Sequence, residues 1–176
     1  MTAPILYSFR RCPYAMRARL AVVDESLDVM HWALEQADPE DWLSADPDTT
    51  ADLIARNDGP FKNALDRYKY PPRYVDENVD PVEQRALGLT ILEDLNQRIA
   101  DNGGHLLRPT RSLADIAIFP FVRQFAHTDR EWFATQPLPA LQDWLKRHLD
   151  SPLFKGVMVK HPLWEPGAVE PKLVSA

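Results

Sequence analysis

Residues 112–126 read Ser-Leu-Ala-Asp-Ile-Ala-Ile-Phe-Pro-Phe-Val-Arg-Gln-Phe-Ala, a stretch that predicts a helix with a defined beginning. Ser112 and Asp115 have the spacing of a capping box, in which the side chain of each residue accepts a hydrogen bond from the backbone N–H of the other. Pro120 lies inside the helix and predicts a kink, because proline has no backbone N–H to donate. The stretch therefore predicts one capped and kinked helix.

Most of the remaining chain also has helical patterns. Residues 14–35 contain no glycine or proline, and apolar side chains recur at alternating spacings of four and three residues, which favours one unbroken helix. Asp58-Gly59-Pro60 predicts a turn. The strand candidate is Ile5–Phe9, and one strand cannot form a sheet, so the sequence predicts a mainly α fold. The further predicted helices are residues 50–56, 61–70, 82–100 and 141–149.

Composition and charge argue against several classes of protein. The chain has 176 residues, a net charge of −6 and a pI of about 5.3. It lacks the basic footprint of a nucleic-acid-binding protein, and an acidic surface binds anionic membranes poorly. We find no secretory signal and no apolar run long enough to span a bilayer. The single cysteine cannot form an internal disulfide, so a reducing compartment, the cytoplasm, is expected.

The strongest chemical signal is the stretch Phe-Arg-Arg-Cys-Pro-Tyr-Ala at residues 9–15. Proline is favourable at the first position of a helix, which places Cys12 just before a helix N-terminus. Unpaired backbone N–H groups point there and stabilise a thiolate, and nearby arginines, Arg17 among them, add positive charge. Ala15 stands where a dithiol motif has its second cysteine, so a redox cycle would need an external resolving thiol. The alternative is a buried structural cysteine that packs as a small apolar side chain.

Three segments resemble one protein family. Residues 8–21, Ser-Phe-Arg-Arg-Cys-Pro-Tyr-Ala-Met-Arg-Ala-Arg-Leu-Ala, resemble the first strand and helix of the cysteine-type, omega-like glutathione transferases, which are related to the two-domain glutaredoxins. Residues 24–30, Asp-Glu-Ser-Leu-Asp-Val-Met, resemble the Glu-Ser step that opens the third helix of the family's thioredoxin-like domain. Residues 112–117 resemble the capping box of its all-helical C-terminal domain. The segments follow in the family's order and span residues 8–117, which is most of the chain.

This resemblance implies a site for glutathione as co-substrate. Cys12 would be the catalytic residue and would form a mixed disulfide with glutathione. The helix N-terminus at the Glu-Ser step would hold the γ-glutamyl carboxylate through its unpaired N–H groups. The implied glutathione-binding residues are Phe9, Pro13, Tyr14, Glu25 and Ser26.

One block of the family pattern is missing between the first two segments. In the family, two strands, a helix and a further strand separate them, which would need roughly 40 residues. Here Val23 is followed directly by Asp24, so either the protein lacks this block or the sequence omits it. The block includes the cis-proline loop that binds the cysteinyl backbone of glutathione. Weak or absent glutathione binding is therefore expected, the more so because N–H groups inside an unbroken helix could not hold a carboxylate near Ser26. The alternative is a break of the chain near Asp24, in which case Ser26 would cap a second helix and part of the site could form.

The predicted organisation is an abbreviated thioredoxin-like segment at residues 1–37 and an all-helical transferase C-terminal domain at residues 45–165. Two functions remain open. The first is a thiol transferase that uses Cys12, glutathione and a small electrophile or glutathionylated thiol. The second is a non-catalytic helical binding or scaffolding remnant of the family.

Other partners and ligands are constrained less directly. A homodimer is expected from the resemblance, and a domain-swapped oligomer in which neighbouring chains complete one sheet is a less favoured alternative. No metal site is expected, because the five histidines show no ligand spacing with a cysteine or carboxylate.

Overall fold

The computed structural model describes residues 12–21 and 26–160, together with residues 165 and 167. Within this part the chain is mainly helical and contains no strand, which confirms the predicted mainly α fold. The predicted strand Ile5–Phe9 lies outside the described residues, and the abbreviated thioredoxin-like segment stays a prediction. The α-helices of the described part are α1 (Pro13–Ala21), α2 (Ser26–Gln36), α3 (Pro47–Arg56), α4 (Lys62–Lys69), α5 (Pro81–Asp101), α6 (Leu113–Ala126), α7 (Arg130–Thr135), α8 (Pro139–Asp150) and α9 (Pro152–Val157).

Helix α6 forms the centre of the core. Of its 14 residues, 12 are buried, so the helix is enclosed on all sides, as its apolar sequence requires. Helices α1, α3, α4 and α8 pack directly against it. Helix α5 packs against α4 and α8 and completes the bundle. Every helix that carries a candidate functional residue is therefore placed by its contact with α6 or with a neighbour of α6.

The predicted unbroken helix over residues 14–35 is wrong. Helix α1 ends at Ala21, α2 begins at Ser26, and the two helices pack against each other. Residues 22–25 lie outside the described part. The apolar stripe that suggested one helix fits two packed helices equally well, because each places its share of the stripe on the core side. The buried members of the stripe in the described part are Met16, Leu20, Met30 and Leu34.

The predicted turn at Asp58-Gly59-Pro60 is also wrong. Residues Asn57–Phe61 form a π-helical segment that joins α3 directly to α4. Pro60 has no backbone N–H, and the wider turn accommodates it because the N–H of Lys62 reaches back five residues to the carbonyl of Asn57. The segment brings Asp58 against α1, where it meets Arg17.

Other helix ends differ less from the prediction. Helix α3 begins at Pro47 rather than near residue 50, because Asp46 caps it and accepts a hydrogen bond from the Thr49 N–H at 2.8 Å. The short helix α7 was not predicted, since its six residues give too few turns for a periodic signal. None of the described helices is both long and apolar enough to cross a membrane.

Candidate functional site

Cys12 lies immediately before α1 and is partly exposed. Its backbone carbonyl accepts the hydrogen bond of the Met16 N–H at 2.8 Å, so Cys12 occupies the N-cap position of the helix. Pro13 is the first helical residue and is buried. The N–H groups of a first helical turn have no partner within the helix and form the positive end of its dipole. Cys12 is therefore carried at the positive end of the α1 dipole.

Tyr14 packs its ring against α6 while remaining 42% exposed. The ring meets Phe121 edge-on, with the centroids 4.8 Å apart, and the Lys62 ammonium lies 5.8 Å from the Tyr14 centroid. Partial burial, with a further contribution from the charge of Asp58, raises the pKa of Tyr14 above its ordinary value. The phenol is therefore neutral at physiological pH and keeps its O–H as a hydrogen-bond donor.

Arg17 fastens α1 to the rest of the protein. Its guanidinium donates two hydrogen bonds to the Asp58 carboxylate, at 2.9 and 2.6 Å, and its Nε donates to the Ala117 carbonyl of α6 at 2.8 Å. The Arg17 side chain is only 3% exposed, whereas that of Asp58 is 28% exposed. We call this arrangement the Arg17–Asp58 clamp. Because Asp58 neutralises the guanidinium, Arg17 positions α1 rather than adding the free positive charge near Cys12 that the sequence suggested.

The beginning of α6 contains a buried carboxylate surrounded by donors. Asp115 Oδ2 accepts hydrogen bonds from the backbone N–H of Ser112 at 2.9 Å and from its hydroxyl at 2.6 Å. Asp115 Oδ1 accepts from the Leu106 N–H at 3.1 Å and the Trp144 indole at 2.8 Å, and faces His105 Nδ1 at 3.2 Å. The predicted capping box is confirmed. Burial alone would raise the pKa of Asp115, but the hydrogen bonds from His105 and Ser112 outweigh it and lower the pKa.

Comparison with known proteins identifies the helical part of the chain. The sequence model described as "Glutathione S-transferase, C-terminal domain" matches residues 40–147, a region that holds α3 to α7 and most of α8. The chain belongs to the glutathione S-transferase superfamily. No significant match was found to a curated protein or to a solved structure. The match does not extend to Cys12 or Ser26, so the omega-like subtype stays a prediction.

Of the remaining residues implied for glutathione binding, the structure describes the backbone of Ser26 but neither Phe9 nor Glu25. Phe9 and Glu25 lie outside the described residues of this transferase-family chain. Ser26 is the first residue of α2, and α2 packs against α1, whose N-cap is Cys12.

Sequence reasoning missed two features that the transferase domain brings together. Asp58 was taken as part of a turn, and no sequence signal links it to Arg17, 41 residues away. His105, Asp115 and His148 also meet, and the atoms that could bind a ligand lie within 4.8 Å of one another. The separations of these three residues along the chain do not match any metal-binding motif, so only the packing of α6 against α8 reveals the cluster.

Proposed function

We propose that this member of the glutathione S-transferase superfamily is a thiol transferase whose catalytic residue is Cys12. The observation that carries the proposal is the position of Cys12 at the N-cap of α1, partly exposed. Helix α1 is held rigidly, because the Arg17–Asp58 clamp joins it to α6 and the π-helical segment, and Arg19 Nε donates to the Val157 carbonyl of α9 at 3.2 Å. A thiol presented by a fixed helix N-terminus is suited to nucleophilic attack on a disulfide.

The proposed reaction has two exchanges. The Cys12 thiolate attacks the glutathionyl sulfur of a glutathionylated substrate, and the substrate leaves as a thiolate that takes up a proton. A glutathione thiolate then attacks the mixed disulfide on Cys12, forms oxidised glutathione and releases the Cys12 thiolate. In sum, the substrate disulfide is reduced and two glutathionyl groups are joined, so Cys12 alone suffices on the protein side.

Glutathione contacts are proposed at both ends of the helix pair. Pro13 and Tyr14 lie at the Cys12 end, with Phe9 proposed beside them. Ser26, through its hydroxyl and the N–H groups at the start of α2, would hold the γ-glutamyl carboxylate, and Glu25 is proposed at the same γ-glutamyl end. The family's cis-proline clamp has no counterpart in the sequence, so we expect non-covalent glutathione binding in the millimolar range. Ser26→Ala should weaken it about fivefold, the loss of one ordinary hydrogen bond, whereas Ser44→Ala, at an exposed serine elsewhere, should not.

The proposal is tested by turnover of a glutathionylated peptide in the presence of glutathione, with the release of oxidised glutathione as the readout. The wild-type chain should turn over, and intact mass should show one glutathionyl group on the trapped protein. Cys12→Ser should have neither activity nor adduct, with its circular dichroism unchanged. Turnover that persists in Cys12→Ser would exclude Cys12 as the nucleophile.

The alternative is a non-catalytic binding or scaffolding protein that retains the helical domain. It is favoured by one observation: Val23 is followed directly by Asp24, so the sequence lacks the block that holds the family's cis-proline loop. A folded wild-type chain that neither forms the adduct nor turns over the peptide would decide for this alternative.

Two further proposals concern assembly and location. A homodimer is proposed from the family resemblance, and the apolar side chains of Val82 and Leu87 on α5, 59% and 57% exposed, are candidates for its interface. Leu87→Glu should convert the dimer to a monomer in analytical ultracentrifugation. The cytoplasm is proposed as the location, because a reducing compartment keeps the single thiol of Cys12 available.

A further inference from the structure

A small cavity lies between the loop before α6 and helix α8. It has a volume of about 100 Å³ and is lined by His105, Arg111, Arg147 and His148. Since a water molecule occupies about 30 Å³ in the liquid, the cavity has room for a few waters or for one small ion. Two guanidinium groups and two imidazoles line it, and no carboxylate is among its lining residues.

His148 gives the cavity an unsatisfied polar atom. The residue is only 4% exposed, and its Nε2 has no hydrogen-bond partner. The ring is held in place because it stacks on Phe119, with the centroids 4.8 Å apart, and meets Trp144 edge-on at 4.7 Å. Burial lowers the pKa of His148 to about 3, so the ring is neutral at physiological pH and has one N–H to donate. A buried polar nitrogen without a hydrogen-bond partner is costly, and a ligand in the cavity that pairs with it would remove that cost.

A metal ion fits this place poorly, although His105, Asp115 and His148 could in principle form a ligand set. Asp115 Oδ1 already accepts hydrogen bonds from Leu106 and Trp144 and faces His105. A cation bound to that oxygen would have to displace these donors. It would also lie beside the positive charges of Arg111 and Arg147, which line the same cavity.

We propose that this cavity binds a small tetrahedral oxyanion of the size of phosphate or sulfate. Arg111 and Arg147 would provide charge-assisted hydrogen bonds, and His148 would donate from Nε2 in the tautomer that the anion selects. Arg147 is exposed at the rim and donates one bond to the Gly104 carbonyl, which leaves further N–H groups of its guanidinium for the anion.

The acidic groups nearby leave this assignment intact. Glu40 Oε2 lies 3.5 Å from an outer nitrogen of Arg111, while the Nε of Arg111 is buried without a partner. On α8, Asp150 is paired with Lys146 at 2.6 Å. An Asp115 oxygen lies within 4.8 Å of a ring nitrogen of His105 and of His148, but Asp115 is not among the residues that line the cavity. The groups that line the cavity are therefore cationic or neutral.

The test is a titration of the full chain with inorganic phosphate at constant ionic strength, followed by calorimetry and by the imidazole ¹⁵N signals of the histidines. Arg147→Gln should weaken phosphate binding about tenfold, because it removes a charge-assisted contact. Lys146→Gln, which removes the same charge one residue away and outside the cavity lining, should bind as the wild type does. Phosphate should shift the ring signals of His148 in the wild type.

Three results would overturn the proposal. They are the absence of saturable phosphate binding to the wild type, an equal loss in Arg147→Gln and Lys146→Gln, and zinc binding that shifts His105 and His148 while phosphate does not. Without saturable phosphate binding, the cavity would hold only water. Equal losses in the two variants would mean that phosphate responds only to the general surface charge. Zinc binding without phosphate binding would mean that the cavity is a metal site. None of these results depends on Cys12, so the test is separate from that of the thiol transferase activity.

Discussion

Helices α1 and α6 both begin at a polar residue, but the side-chain groups at their N-termini differ. At α6, the wholly buried Asp115 carboxylate accepts hydrogen bonds from Ser112, Leu106 and Trp144. At α1, the N-cap is Cys12, which is partly exposed and whose sulfur is only a weak acceptor. A helix N-terminus whose hydrogen-bonding groups are paired with side chains stabilises the fold. A helix beginning capped by a thiol keeps its field available for chemistry.

The two beginnings also depend on each other, since α1 packs on α6. Arg17 of α1 donates to the Ala117 carbonyl within α6, and Tyr14 rests on Phe121 of the same helix. Helix α6 thus supports α1, at whose N-cap the proposed nucleophile Cys12 lies. Changes to α6 should therefore act mainly on stability, and changes to the mounting of α1 should act on the reactivity of Cys12 as well.

The largest effect is expected for Asp115→Ala. The substitution leaves several buried donors without an acceptor, so it should lower the free energy of unfolding by about 3–5 kcal/mol. Urea denaturation measures the change. Asp129→Ala provides the control, because Asp129 caps α7 through Trp132 with a side chain that is 45% exposed, and it should cost about 0.5–2 kcal/mol. Equal losses for the two variants would mean that the Asp115 network has no special role.

Breaking the Arg17–Asp58 clamp should give the next largest effect. Asp58→Asn removes the countercharge of a buried guanidinium and should destabilise the protein by about 2–4 kcal/mol. It should also slow the reaction of Cys12 with oxidised glutathione, because α1 loses its anchor. The pairs of Asp94 with Arg56 and Arg98, whose side chains are more exposed than that of Arg17, provide the control, and Asp94→Asn should cost about 0–1 kcal/mol and leave Cys12 unaffected. If Cys12 reacts in Asp58→Asn at the wild-type rate, the Arg17–Asp58 clamp does not contribute to the reactivity of Cys12.

Acid should weaken the network around α6. The pKa of His148 is about 3 in the folded protein and near 6.5 when unfolded, so between these values the unfolded chain binds a proton that the folded chain does not. Stability from His148 is complete above its unfolded pKa and falls as pH falls; the lowered pKa of Asp115 acts in the same direction at lower pH. From pH 7 to pH 5, His148 should account for a loss of about 1–2 kcal/mol.

The measurement is the urea midpoint at the two pH values. His148→Gln should show a smaller pH dependence than the wild type, even where its midpoint is lower at both. His31→Gln, at an exposed histidine of α2, should keep the full dependence. An undiminished pH dependence in His148→Gln would show that the imidazole is not the titrating group.

The smallest effect is expected for Ser112→Ala. The substitution removes one of the donors to Asp115 and one half of the capping box, at a cost of about 0.5–2 kcal/mol. Thermal or urea unfolding measures it, and Cys12 should react as in the wild type. A midpoint equal to that of the wild type would show that Ser112 does not stabilise α6.

The sequence predicted what depends on local rules and missed what depends on packing. The capping box at Ser112 and the helix beginning after Cys12 follow from residue types at short spacings, and both were predictable. The hairpin of α1 and α2 was not, because an apolar stripe of helical period is the same for one helix or two. The Arg17–Asp58 clamp and the contact between His105 and His148 join residues that are distant in the chain, so no local sequence rule predicts these contacts.

We propose that the fold of the protein, and not the residues that neighbour Cys12 in the sequence, makes Cys12 reactive. The rate of mixed-disulfide formation with oxidised glutathione, followed by intact mass, tests it when the folded chain is compared with a synthetic peptide of residues 8–21 in the same buffer. The peptide has the same neighbouring charges but no stable helix, because short isolated helices are marginal in water. The account predicts that the folded chain reacts about tenfold faster or more. A folded chain that reacts no faster than the peptide would contradict it and leave Cys12 as a structural residue.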